Sequence, residues 1–89
     1  MKAVISVIGK DSVGILAFVS NACAKYNVNI IDVSQTVMSD TFAMIMMTDI
    51  EKLNIKLDEF IDILQKSGKE RRLIINVMHE DVFNSMHRI

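Results

Sequence analysis

The chain has 89 residues, of which 51% are hydrophobic and 24% charged, and its formal net charge is −1. This is the composition of an ordered globular chain, and the length suits one domain over residues 1–89 with no room for a second core. Scattered Lys and Arg at near-neutral charge argue against a nucleic-acid partner, and no apolar run approaches the roughly 20 residues that cross a bilayer, so no membrane partner is expected.

The first strand is predicted over about Lys2 to Ile8. Gly9-Lys10-Asp11-Ser12-Val13-Gly14 then turns the chain into a helix whose apolar residues Ile15, Leu16, Val19, Cys23 and Tyr26 follow the 3- and 4-residue spacing of one buried stripe. Asp11 or Ser12 is the expected N-cap, and the helix ends by Asn27. A second strand is expected from about Val28 to Met38, a turn at Ser39-Asp40, and a third strand over Thr41 to Thr48, the pair forming a hairpin. The second helix is predicted over roughly Asn54 to Ser67, with Leu57, Phe60, Ile61 and Leu64 inward and Gly68 as its stop. A fourth strand, Arg71 to Met78, precedes a short helical tail carrying Val82, Phe83, Met86 and Ile89.

This β-α-β-β-α-β order predicts an α/β (α+β) sandwich of ferredoxin-like type. It has a four-stranded antiparallel sheet with two helices on one face and a short C-terminal helix. The third strand is apolar on both parities, with Phe42, Met44 and Met46 against Ala43, Ile45 and Met47, and the fourth behaves similarly. A sheet covered on one face should alternate with polar residues on the other. Either the C-terminal segment crosses the second face or another subunit covers it, and a homodimer or higher assembly is expected.

The strand-to-helix turn is the one place where ligand chemistry is legible. Backbone amides opening a helix, together with the positive end of its dipole, suit a small carboxylate. Ser12, Val13 and Gly14 would supply those amides, the bare Gly14 would allow close approach, and Asp11 or Asn29 would orient an ammonium group. The plainer alternative is that Asp11 merely caps the helix, Gly14 permits close packing, and Asn29 closes a helix-to-strand turn. Gly14→Val is expected to block a ligand while leaving the fold largely intact.

Other reactive side chains point to structure. Cys23 lies on a buried helical stripe and reads as a small core residue. It cannot form an internal disulfide, and Met1-Lys2-Ala3-Val4 enters a strand pattern with no small-residue cleavage site, so a cytoplasmic location is expected. His79 and His87 lack the companions of a metal set, and His79 reads as the end of the fourth strand. No nucleophile-base arrangement is legible, so no catalytic residue, metal or cofactor is expected. An acylphosphatase-like enzyme would need an Arg in the first loop to grip phosphate, and that loop offers only Lys10.

The element order, the turn Gly9-x-Asp11-x-x-Gly14-Ile15 and the Asn29-Ile30 pair opening the second strand together resemble an ACT domain, a small regulatory module that binds amino acids or similar metabolites. Gly9-Lys10-Asp11, Val33-Ser34-Gln35-Thr36-Val37 and the Phe83-Met86-Ile89 tail are more narrowly similar to small stand-alone ACT proteins of prokaryotes and to the ACT halves of glycine-cleavage repressors. The resemblance implies a site shared between subunits, with Asp11, Ser12, Val13 and Gly14 of one facing Asn29, Ile30 and Ile31 of its neighbour. It also implies side-by-side pairing that extends the sheet. ACT domains usually regulate an enzyme or transcription factor in the same polypeptide. No such attached domain is legible here, so the expected target is a protein reached in trans. Two functions compete: an amino-acid-sensing regulatory module, and a self-association domain that binds nothing.

Overall fold

Strands and helices alternate along the computed structural model, which describes residues 1–10 and 13–86. The elements are β1 (Lys2–Gly9), α1 (Ile15–Lys25), β2 (Asn29–Met38), β3 (Thr41–Asp49), α2 (Leu57–Glu70), β4 (Ile74–His79) and α3 (Glu80–Met86). The sheet order is β2-β3-β1-β4 and every neighbouring pair is antiparallel. This is the ferredoxin-like sandwich that the order of elements predicts.

The alternation of side chains along each strand sorts the sheet into two faces. Ile5, Val7, Phe42, Met44, Met46 and Ile75 point to one of them and are buried with Ile15, Val19 and Cys23 of α1 and Phe60 and Leu64 of α2. Thr48 is the buried polar residue of that layer, and its Oγ1 donates to the Ala3 carbonyl at 2.8 Å. The hydroxyl is therefore satisfied where an unpartnered one would be costly.

Both long helices end in the same way. After α1, Asn27 takes a left-handed conformation (φ 64°), its N–H donates to the Ala24 carbonyl, and the Val28 N–H donates to Cys23 at 2.8 Å. After α2, Arg72 (φ 60°) and Leu73 repeat this with Lys69 and Gly68. These paired bonds satisfy carbonyls that a helix end would otherwise leave unmet.

The second of these ends corrects the expectation for Gly68. The glycine lies inside α2, buried against Ile75, and the helix continues past it to Glu70. Gly68 serves close helix-to-strand packing, and the stop is made by Arg72. Because Arg71 and Arg72 form that turn, β4 starts at Ile74 and not at Arg71.

The other face of the sheet is covered unevenly. Val4, which points to it, is fully buried. With α1 and α2 on the far side, α3, which packs on β1 and β4, is the element that closes over this end. Farther along, Ile8, Ile45 and Ile74 remain 43%, 39% and 63% exposed. β2 is a long free edge, with an extra residue at Ile31 where its pairing to β3 shifts register. Near its far end Val37 and Met38 are 65% and 69% exposed. Ile89 of the predicted tail lies outside the described residues.

Candidate functional site

β1 ends at Gly9, and α1 starts at Ile15 with Gly14 in the N-cap position. Gly14 has φ 75°, a left-handed conformation natural to glycine, and its carbonyl accepts the first helical bond from Phe18 at 2.9 Å. No side chain caps this helix end among the described residues. The first-turn amides of the helix are those of Ile15, Leu16 and Ala17. A Cβ built on Gly14 would meet no atom within 4 Å, so the space beside it is open. Asp11 and Ser12, named as caps and as site residues, lie outside the described residues. Val13 is exposed at the mouth of the turn.

The geometry changes the expectation for Gly14→Val. A Cβ there meets no atom within 4 Å, but the positive φ strains any β-branched residue, so the substitution is not neutral for the fold.

Asn29 and Ile30 lie at the opposite end of the sheet. Asn29 pairs with Asp49, which pairs with Lys2, whereas Gly9 shares its row with Phe42 and Val37. The two ends are separated by the length of β1, roughly 23 Å at about 3.3 Å per residue. One protomer therefore does not bring Gly14 and Asn29 together. Asn29 is exposed, Ile30 faces the helices opposite Thr48, and Ile31 is the extra residue of the bulge. The residue closing the helix-to-strand turn is Asn27, a position its Asn side chain and the preceding helix could have marked.

Around Asn29 an open cavity of about 550 Å³ is lined by Asn27, Asp49, Glu51 and Lys52 among others. Asp49 accepts the Glu51 N–H at 2.9 Å and lies 3.8 Å from the N-terminal ammonium. Glu51 has no ion-pair partner among the described residues. Two carboxylates beside an asparagine offer acceptors to an ammonium group, in a cavity that Lys52 also lines. Sequence reasoning missed both acids because they lie at and just after the end of β3, some twenty residues from Asn29, and only the strand register places them beside it.

The remaining reactive groups serve the fold. Burial pushes the Cys23 thiol up to about 11, away from nucleophilic behaviour. His79 ends β4, and its Nδ1 accepts the Asp81 N–H at 3.1 Å where α3 begins. No cluster of three metal-ligating side chains occurs among the described residues, and His87 lies outside them. No described helix is long and apolar enough to cross a membrane.

Comparison with known proteins settles the family, since residues 2–78 match the model of the ACT domain. The chain belongs to the ACT domain family. A UPF0237 protein of Listeria innocua is 47% identical over 89 residues, covering 100% of both chains. The structure of an ACT domain protein from Streptococcus pneumoniae superposes with a TM-score of 0.81 at 32% identity, covering 93% of each chain. A protein assigned as a glycine cleavage system transcriptional repressor shares the fold, with a TM-score of 0.68 at 21% identity over 89% of this chain and 47% of that one. ACT domains are regulatory modules that bind ligands, and in this ACT chain α1 begins beside Gly14 with no side-chain cap among the described residues.

Proposed function

We propose that this ACT chain is a cytoplasmic regulatory module, folded as one domain, that senses an amino acid between two copies of itself and acts on a target protein in trans. The observation that carries the reading is the start of α1 beside Gly14, which has no side-chain cap among the described residues and no Cβ to obstruct a ligand. Amides at a helix N-terminus favour a carboxylate. The end of the sheet around Asn29, Asp49 and Glu51 favours an ammonium group. The two halves of a zwitterion are thus matched by two ends of the chain that one protomer holds apart.

A two-fold pairing, in which each copy offers the same patch to the other, would bring the α1 start of one protomer against Asn29, Ile30 and Ile31 of its partner. Asp11, Ser12, Val13 and Gly14 would form the carboxylate side. The long free edge of β2, with Val37 and Met38 exposed, is consistent with pairing between copies. A ligand touching both protomers would stabilise the paired state through its extra affinity for that state.

The exposed Ile8, Ile45 and Ile74 favour a second reading, in which the chain only associates with itself. Thermal-shift and calorimetric titration against the twenty amino acids separates the two. A cognate amino acid at a hundredfold excess over its Kd should add about 2.7 kcal/mol of stability. No response to any of the twenty would favour self-association alone, and a monomeric mass by light scattering at micromolar concentration would defeat both.

A further inference from the structure

We propose that the α2–β4 turn and the end of β1 form a second site, which takes a phosphorylated small molecule carrying an apolar or aromatic group. This site adjoins the β1–α1 turn on the side of Lys10 and does not depend on the amino-acid reading.

Lys10, Arg71 and Arg72 line one cavity of about 680 Å³, together with Ile8, Ile74 and Thr41. Along the chain the lysine and the arginines are far apart, and the basic run at Lys69 to Arg72 is interrupted by Glu70. Two local features bring them together. Gly9 leaves room for the Leu73 side chain, which a Cβ at Gly9 would strike, so the turn before β4 settles on the end of β1. The bonds that close α2, from Arg72 N–H to Lys69 and from Leu73 N–H to Gly68, then fix the path of Arg71 and Arg72.

Of the three cations, Arg71 has a contact that holds its side chain in place. The Arg71 guanidinium stacks over the Phe18 ring at 4.3 Å from its centroid, which fixes it by its face and leaves its edge donors for a ligand. Arg72 occupies a left-handed position where glycine is usual. None of the three forms an ion pair among the described residues, whereas Lys66 on the outer face of α2 pairs with Asp62 at 3.0 Å. Among the described residues no carboxylate lines the cavity. Of the nearby acids, Asp40 faces the Thr41 hydroxyl at 3.5 Å, Glu70 is exposed on α2, and Asp11 lies outside the described residues.

Three cations without an ion-pair partner among the described residues, in a chain of net charge −1, suit a ligand bearing more than one negative charge. Two guanidinium groups match phosphate oxygens in particular, because each can donate two parallel hydrogen bonds. A lone carboxylate would leave the site positive. Ile8 and Ile74, both exposed, supply a wall for the rest of the ligand.

The test is titration of the full chain, observed through backbone amide NMR shifts, with phenyl phosphate and with benzoate. Phenyl phosphate should give saturable shifts at Lys10, Arg72 and Ile74, and benzoate should bind at least about tenfold more weakly. Lys10→Gln and Arg72→Gly should each weaken phenyl phosphate binding by about tenfold, while Lys69→Gln, outside the cavity, should not. The thermal midpoint of Lys10→Gln should match the parent, showing that the loss is not unfolding. Equal binding of benzoate, equal weakening by Lys69→Gln, or no saturable shift at those amides would each overturn the proposal.

Discussion

Gly68 lies so close to Ile75 that a Cβ on the glycine would come within 2.6 Å of the isoleucine Cδ1 and 2.9 Å of its Cγ1. This contact sets the spacing between α2 and the sheet. Alanine at a helical glycine normally gains about 1 kcal/mol, but overpacking a buried contact costs about 1–3 kcal/mol. Gly68→Ala should therefore lower stability by about 1 kcal/mol in denaturant unfolding. Measured in an Ile75→Val background, which removes the nearest atom, Gly68→Ala should cost less; an equal or larger cost of the glycine change in that background would show that the contact is not the cause.

Gly14 behaves differently because its constraint is conformational. With φ 75° and no neighbour near a new Cβ, Gly14→Ala should cost about 1 kcal/mol through backbone strain alone. Asparagine tolerates this conformation better, so Gly14→Asn should keep most of the stability while filling the open space. If the amino-acid reading holds, that variant loses its calorimetric binding signal. Undiminished binding in Gly14→Asn would remove Gly14 from the site.

Arg72 provides a case where stability and binding are expected to move in opposite directions. A left-handed position is easier for glycine than for arginine, so Arg72→Gly should raise the unfolding free energy by about 0.5–1 kcal/mol. A loss of stability would mean that the arginine makes contacts outweighing the strain.

Cys23 sets a pH limit. Its thiol is raised from 9.0 to about 11 by burial, so well below pH 9 it is protonated in both folded and unfolded chains and contributes no pH dependence. Between pH 9 and 11 the unfolded chain ionises while the folded one does not, and stability should fall by up to about 1.4 kcal/mol per pH unit. Cys23→Ala should remove that slope, whatever it does to stability at neutral pH. At pH 8 the native thiol should resist a thiol reagent that labels the unfolded chain readily; comparable native labelling would contradict its burial.

The amino-acid sequence by itself determined the order of elements, the helical stripes and strand runs that make the core, and the turn at Gly9 to Gly14. Those features arise from local periodicity and from residues with strong conformational preferences, both of which can be read within a dozen positions. The role of Gly68 could not be read that way, because a glycine near a helix end looks like a stop until the strand packed against it is known. The stop at Arg72 was hidden for the converse reason, since an arginine carries no signal for left-handed backbone. Only the tertiary structure decided that Asp49 and Glu51 flank Asn29 and that Lys10 meets Arg71 and Arg72. Such groupings depend on strand register and on close passage of Leu73 over Gly9, which are long-range packing outcomes with no trace in local spacing.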